Sequence, residues 1–194
     1  MIHYTAMPSA QAACARLCDP QAEVSAHYLI DVDGTVLALV AEEQRAWHAG
    51  AGEWGGRADI NSRSVGVELA NTGAEPFAAR QMDALEHLLA GIMGRWSIPA
   101  QGVIGHSDMA PGRKADPGPK FDWRRLARCG LSVWPGQGGD GARPLGPSLD
   151  RIGYPDVAPD LRLAAFRLRF RPWAQGPQEA QDRALASDLA GFHR

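Results

Sequence analysis

The chain has 194 residues, 45% of them hydrophobic, and a formal net charge of −2. This balance provides neither the basic excess of a nucleic-acid-binding protein nor the acidic block of a disordered tail. The longest apolar runs lie in SVGVELA and HYLIDV and are far shorter than the ~18–20 residues of a membrane span. We therefore expect no nucleic-acid partner and no membrane span, and the length suits one domain with a small second unit.

The residue pattern of the N-terminal part of the sequence predicts a short strand, a helix and a hairpin. The first strand covers Met1 to Tyr4, and Ser9 is placed to cap a helix over residues 9–18. Two β-rich runs, AHYLIDV and TVLALV, then flank Asp33 and Gly34, a pair typical of a hairpin turn. The opening residues show no basic segment followed by an apolar one. No secretory signal is expected, which favours the cytoplasm; the periplasm is the alternative if the native start lies upstream.

The middle of the chain predicts two further strands and two helices. SVGVELA is apolar on both of its alternating faces, as in a buried strand, and residues 77–96 have helical apolar spacing. VIGH, ending at His106, predicts a short strand, followed by a Pro- and Gly-rich loop over 107–120 and a closing helix in FDWRRLARCG. The interleaved strands and helices predict an α/β or mixed α+β fold with one central, mostly mixed sheet flanked by helices.

The composition changes near the end of the chain. Residues 135–147, PGQGGDGARPLGP, predict a flexible linker, and residues 161–170 and 179–192 predict helices. The expected organisation is a first domain over 1–134, a linker over 135–147 and a small three-helix domain over 148–194.

Five polar residues at predicted strand ends and loops could form a catalytic site. His3, His106 and Asp116 supply two imidazoles and a carboxylate, the three-ligand set of a catalytic zinc site with one open position. Glu68, an ionisable residue inside an apolar strand, is the candidate general base. Lys114 could stabilise a developing oxyanion.

Each of these residues also has a structural interpretation. A histidine at a strand end often makes an ordinary hydrogen bond, and a glutamate in a strand can face solvent. Lys114 and Asp116 can form a surface ion pair, and the ten positions between His106 and Asp116 lack the compactness of the HExxH helix motif. From these residues alone, a metal hydrolase remains one of several alternatives.

Four segments together resemble the type 2 N-acetylmuramoyl-L-alanine amidases. They are VSAHYLID (24–31), AWHAG (46–50), GRADINSRSVGVEL (56–69) and GHSDMAPGRKADPGPKFDW (105–123). Within that family the chain is similar to the bacterial enzymes that process anhydromuropeptides, and the fold is shared with peptidoglycan recognition proteins. The similarity spans roughly residues 2–130 in consistent order.

The resemblance implies a role for each matching position. One Zn²⁺ per chain would be held by His3, His106 and Asp116, with Glu68 as the catalytic glutamate and Lys114 near the oxyanion. The implied reaction is hydrolysis of the amide between the lactyl group of N-acetylmuramic or anhydromuramic acid and L-alanine of the stem peptide, in peptidoglycan degradation or recycling.

Further residues are expected to contact the substrate. These candidates flank the catalytic segments and are Trp47, His48, Asn61 and Arg63; an indole suits a sugar face and a guanidinium suits a carboxylate. Residues 148–192 more loosely resemble a three-helix peptidoglycan-binding module. The expected partners are therefore muropeptides or peptidoglycan fragments, with intact wall as a possible partner of the C-terminal module.

Two other functions are compatible with parts of this pattern. A non-catalytic receptor for wall fragments shares the fold but lacks a zinc ligand or the base, whereas this chain has all of them. A metal-dependent phosphoesterase would need further acidic ligands for a paired-metal centre.

Overall fold

A four-stranded mixed sheet forms the centre of the structure, a computed structural model that describes residues 1–192. Its strands are β1 (Ile2–Tyr4), β2 (Tyr28–Ile30), β3 (Val36–Ala38) and β4 (Val67–Leu69), in the order β1-β4-β2-β3. β4 pairs parallel with both β1 and β2, while β2 pairs antiparallel with β3. The predicted mixed sheet is confirmed.

Seven α-helices accompany the sheet within the described range. They are α1 (Ala10–Leu17), α2 (Ala79–Trp96), α3 (His106–Met109), α4 (Trp123–Arg128), α5 (Leu145–Ile152), α6 (Pro159–Phe170) and α7 (Ala180–Ala190). Along residues 1–192, none of them combines the length and apolarity needed to cross a membrane.

The two faces of the sheet have different partners. Ile2, Val67 and Leu69 belong to the main core, together with the apolar side of α2. Leu29 packs on the other face, against Ala10 and other residues of α1. Because side chains alternate along a strand, the side chains of His3 and Glu68 also lie on this second face.

The hairpin and the first helix form where the sequence predicts them. Ser9 Oγ accepts the backbone N–H of Ala12 at 3.2 Å and so caps α1. In the hairpin, the Asp31 N–H donates to the Thr35 carbonyl at 2.9 Å. Gly34 has a φ of +93° there, and a Cβ at this position would lie 2.8 Å from the Arg80 carbonyl oxygen, so glycine is required for both reasons.

The prediction of a strand over VIGH is wrong. Residues 103–105 are extended but make only one isolated parallel bridge, between Ile2 and Gly105. The chain then turns at once into α3, because the Asp108 carboxylate accepts the Gly105 N–H at 2.8 Å. His106 is therefore the first residue of a helix, and the loop predicted over 107–120 begins inside that helix.

The C-terminal helices share a core of their own. Its most buried members come from α5, α6 and α7 and are Leu149, Phe166, Phe170, Ala186 and Leu189. α5 begins at Leu145, inside the range predicted as linker, so the flexible segment is shorter at its end than 135–147. The division into domains at 134 and 148 stays a prediction, and residues 193 and 194 of the proposed last domain lie outside the described residues.

Asp108 joins these helices to the sheet domain. Its fully buried carboxylate accepts hydrogen bonds from Arg169 at 2.5 Å and from the Tyr154 hydroxyl at 2.8 Å. The Arg169 guanidinium also donates to the Val103 carbonyl and lies 3.9 Å from the Trp123 ring centroid. The contact between the C-terminal helices and α3 is thus a buried ion pair rather than a loose tether.

We predict that Arg169→Met destabilises the protein strongly. The substitution leaves the Asp108 carboxylate buried without its cation, and breaking a buried pair in this way costs about 3–5 kcal/mol. The matched control is Arg143→Met, because Arg143 and Asp140 form an exposed pair 3.9 Å apart that contributes less than about 1 kcal/mol. Urea unfolding of the two variants measures both values, and equal small losses would contradict the prediction.

Candidate metal centre and active site

Three of the predicted ligands meet in one buried cluster. His3 Nδ1 lies 2.8 Å from Asp116 Oδ2 and 3.0 Å from His106 Nδ1, and His106 Nδ1 lies 3.1 Å from the same Asp116 oxygen. All three residues are buried. The structure therefore brings together side chains that lie up to 113 positions apart in the sequence.

Backbone hydrogen bonds on both sides of the ligands hold this cluster. The Ile2 N–H donates to the Ile104 carbonyl at 2.9 Å, which aligns β1 with the segment that leads into His106. The Ser107 N–H donates to the Asp116 carbonyl, also at 2.9 Å. Backbone hydrogen bonds at or next to the ligands therefore connect the three segments that carry them.

The protonation states suit a zinc ion. Burial lowers the pKa of His3 to about 4, so its imidazole is neutral near pH 7. Burial acts to raise the pKa of Asp116, but the contacts with His106 and His3 outweigh it and hold this pKa below its usual range. A neutral imidazole beside a carboxylate is the state in which such groups bind metal. Tetrahedral donors at zinc bond lengths are about 3.3 Å apart, close to the observed spacing, so the residues fit the ion.

Glu68 lies beside His3 on the face of the sheet that α1 covers. The two residues are Cα partners in the parallel β1–β4 register, which directs both side chains to the same face. The Glu68 Oε2 atom is buried and has no hydrogen-bond partner among the described residues. Burial, assisted by the Asp116 charge and opposed by Lys114, raises the pKa of Glu68 to about 8. Such a carboxyl group in a cleft is typical of a catalytic acid or base.

A cleft of about 590 Å³ opens over this cluster. Its walls include the three candidate ligands, both candidate catalytic residues and side chains from α1 and the loop before Asp116; the latter are Ala13, Arg16, Leu17, Arg113 and Ala115. Lys114 is exposed at this wall. All five residues predicted for chemistry therefore border one cavity.

Only two of the four candidate substrate contacts line the cleft itself. Trp47, 51% exposed, and the buried His48 line the cleft. Asn61 lines a neighbouring depression that also includes both of them. It also borders the groove in which Arg63 lies with Trp96 and Glu42. Substrate binding by these residues stays a prediction.

Two cationic residues of the cleft were not identified from the sequence. Arg113 lies next to Lys114, and its guanidinium donates to the Ala49 carbonyl at 2.8 Å; its position inside GRKADPG was the available signal. Arg16 shares α1 with one other hydrophilic residue, Gln11, and the helical pattern of this segment gave no sign of the cleft. His27 is buried near the cluster but is not among the candidate ligands, because its ring nitrogens bond the Gln44 carbonyl at 3.0 Å and the Gly66 N–H at 2.9 Å.

Comparison with known sequences identifies related proteins. A family described as N-acetylmuramoyl-L-alanine amidase matches residues 1–119. The N-acetylmuramoyl-L-alanine amidase AmiD of Escherichia coli is 35% identical over 97% of this chain and 80% of its own length. The 1,6-anhydro-N-acetylmuramyl-L-alanine amidase AmpD of Enterobacter cloacae is 43% identical over 53% of this chain and 55% of its own length.

Solved structures agree with the sequence matches. Escherichia coli AmiD, in complex with the substrate anhydro-N-acetylmuramic acid-L-Ala-D-gamma-Glu-L-Lys, superposes with a TM-score of 0.88 at 34% identity, over 99% of this chain and 88% of that one. AMPDH3 from Pseudomonas aeruginosa, in complex with anhydromuramic pentapeptide, gives 0.87 at 31% identity, over 98% and 90%. This coverage includes the C-terminal helices and confirms the fold class along the described chain.

We predict one zinc ion per chain after reconstitution. His106→Ala removes one of the three donors and should lower the bound zinc far below one equivalent. His87→Ala is the matched control, since His87 is exposed on α2 and its ring makes a hydrogen bond to the Asp83 carbonyl. Elemental analysis after gel filtration measures the content, and full zinc retention by His106→Ala would contradict the site.

We predict that Glu68→Gln changes the pH dependence of stability in the metal-free protein. Folding raises the pKa of Glu68 from 4.5 to about 8, so the native state holds this proton more tightly than the unfolded state does. The stability that results is fully present below the unfolded value and is lost as pH rises through about 8. Relative to the wild type, the variant should therefore gain stability between pH 5 and pH 9.

Chemical unfolding in the presence of a chelator measures this difference. Glu53→Gln is the control, because Glu53 is also partly buried but lies outside the cleft. A Glu68→Gln difference that stays constant across the pH range would contradict the raised pKa.

Proposed function

Because the chain belongs to the N-acetylmuramoyl-L-alanine amidase family, we propose that it is a zinc-dependent amidase of peptidoglycan degradation or recycling. It hydrolyses the amide between the lactyl group of an N-acetylmuramic or anhydromuramic acid and the L-alanine of the stem peptide. The observation that carries this proposal is the convergence of His3, His106 and Asp116 next to the unpartnered carboxyl oxygen of Glu68. A zinc ion held by the three donors would polarise the scissile carbonyl and make the attacking water more acidic.

Glu68 is the proposed proton carrier. As a carboxylate it takes a proton from the attacking water, and it later gives that proton to the departing alanine nitrogen. Burial raises the pKa of Glu68 in the metal-free chain, and the charge of a bound zinc ion beside it would lower that pKa again. An acid–base catalyst works best when its pKa lies near the operating pH.

Lys114 is the proposed stabiliser of negative charge on the carbonyl oxygen. Its exposed side chain borders the cleft and acts electrostatically on Glu68. A fixed positive charge beside the oxygen favours the tetrahedral intermediate over the planar amide.

The cleft suits a ligand that is both a sugar and an acidic peptide. Arg16 and Arg113 border it and can bind stem-peptide carboxylates, while the half-exposed Trp47 offers an indole face to a sugar ring. The substrates named for the Escherichia coli and Pseudomonas aeruginosa structures are anhydromuropeptides, and we propose the same chemical class here.

The proposed compartment depends on which substrate is used. Action on anhydromuropeptides during recycling suits the cytoplasm, whereas action on intact wall suits the periplasm. Wall binding by the C-terminal helices remains a proposal. Its test is retention on insoluble peptidoglycan of the full chain against Trp173→Ala, since Trp173 is 68% exposed; equal retention would argue against that surface.

A receptor without catalysis is the alternative on the same fold. It is disfavoured because the complete ligand set and the base border one cleft. A paired-metal phosphoesterase is also disfavoured, because residues 1–192 contain a single cluster of candidate metal ligands.

The decisive experiment is mass spectrometry of the products from purified anhydromuropeptide and from intact wall. We expect free stem peptide with an L-alanine amino terminus from at least one substrate, and only with zinc present. Intact substrate after prolonged incubation with the zinc-loaded chain would support the receptor instead.

We predict that Glu68→Gln keeps its zinc but loses turnover by about 10²–10⁴-fold. Lys114→Met should lower kcat by about 10²–10³-fold, while Lys120→Met, at an exposed lysine that bonds the Ala74 carbonyl, should change it little. Steady-state rates on anhydromuropeptide test these values, and unchanged kinetics for Glu68→Gln would remove it as the base.

A further inference from the structure

Both histidines among the candidate zinc ligands direct one ring nitrogen to the centre and the other to residue 48 or 49. His106 Nε2 lies 2.8 Å from the Ala49 carbonyl oxygen. Since a carbonyl can only accept, Nε2 carries the hydrogen, and in the neutral ring Nδ1 keeps a lone pair. That lone pair points to the space between His3 Nδ1 and Asp116 Oδ2, where a metal ion would accept it.

The outer nitrogen of His3 contacts another imidazole, that of His48, and either ring could donate the hydrogen. Which ring donates depends on the groups that bond the far side of His48. His3 Nε2 lies 3.1 Å from His48 Nδ1, and His48 Nε2 lies 3.4 Å from Ser64 Oγ. The Ser64 hydroxyl donates to the Ile60 carbonyl at 2.7 Å. Its oxygen is therefore left to accept, and the hydrogen between Ser64 and His48 belongs to His48 Nε2.

His48 must then be the acceptor at Nδ1. The residue is only 8% exposed, and within residues 1–192 its ring nitrogens bond to His3 and Ser64 alone. A buried imidazole without an acidic partner is neutral, so a hydrogen on Nε2 leaves a lone pair on Nδ1. His3 consequently donates from Nε2, and its own Nδ1 lone pair faces the centre.

We propose that His48 is a positioning residue of the metal centre, which accepts the Nε2–H of His3 and holds that ring in the tautomer that binds zinc through Nδ1. The inference rests on the proposed zinc-dependent function, but it gives His48 a role other than contact with substrate. His48 is not itself a ligand in this arrangement, because both of its nitrogens are engaged by neighbours. Groups behind a ligating histidine fix its orientation and raise its basicity.

Two neighbouring residues fix the acceptor in place. Asn61 Oδ1 accepts the backbone N–H groups of His48 at 3.0 Å and of Ala49 at 2.8 Å. One amide side chain thereby orders both acceptors that serve the two ligating rings. On the other side, a Cβ at Gly66 would lie 2.4 Å from His48 Cγ, so glycine leaves the space that the imidazole occupies.

The first test is zinc affinity of the full chain, measured by competition with a chromogenic chelator at constant pH. His48→Phe removes the acceptor and should raise the zinc Kd by about 10–100-fold. His48→Asn keeps an oxygen acceptor near the Nδ1 position, so its zinc Kd should lie much closer to that of the wild type than to that of His48→Phe. Gly66→Ala keeps every hydrogen-bonding group but displaces the ring, and it should also weaken binding.

Trp47→Phe is the control for a change in the same cleft wall, and its zinc Kd should not move. Circular dichroism of each metal-free variant confirms folding, so that weaker binding is assigned to the site. An unchanged zinc Kd in folded His48→Phe would overturn the inference. If the wild-type chain binds no zinc, the proposed function itself fails. If the wild type and the His48 variants bind zinc equally well, only the role of His48 fails.

The second test reads the proton directly in the zinc-loaded wild type. Nuclear magnetic resonance of ¹⁵N-histidine-labelled protein should show a hydrogen on His3 Nε2 and a coupling across the hydrogen bond to His48 Nδ1. If His48 only filled space, the hydrogen bond between His3 Nε2 and His48 Nδ1 could run in either direction. A hydrogen found on His48 Nδ1 would overturn the assignment without the need for any variant.

Discussion

The pairing of β1 on both of its sides is the constraint on which the site depends. β4 lies along one side of β1, in the register that sets His3 beside Glu68. Residues 104 and 105 lie parallel to β1 along its other side and lead directly into His106. A one-residue slip of β1 would turn His3 into the apolar core, and packing of Ile2 in that core opposes the slip. The hydrophobic face therefore fixes the position of a polar group on the other face.

The same four-residue helix that begins with His106 also holds the C-terminal module. Asp108 binds the Gly105 N–H, the Tyr154 hydroxyl and the Arg169 guanidinium, so the turn that presents the ligand is braced by residues from the far end of the chain. A fully buried carboxylate is costly unless it is paired. The helical module is consequently part of the framework of the site, whatever it contributes to binding cell wall.

The sequence predicted those elements that local patterns determine. Ser9, the Asp33–Gly34 turn and the apolar spacing along α2 each act within a few residues, and the corresponding elements are present. The strand at VIGH was wrong because a parallel partner is available there for only one bridge. The directions of the hydrogen bonds behind His3 had no sequence signal, since they depend on Ser64 and on space at Gly66, which only the folded chain brings together.

We propose a zinc centre of two imidazoles and one carboxylate, with a third imidazole, His48, behind them as a hydrogen-bond acceptor. X-ray absorption at the zinc edge of the loaded full chain tests this most directly. It should require two imidazoles with oxygen donors at about 2.0–2.1 Å in a four-coordinate shell. A shell with three imidazoles would place His48 on the metal and contradict its role as an acceptor behind His3, and a sulfur donor would contradict the site itself.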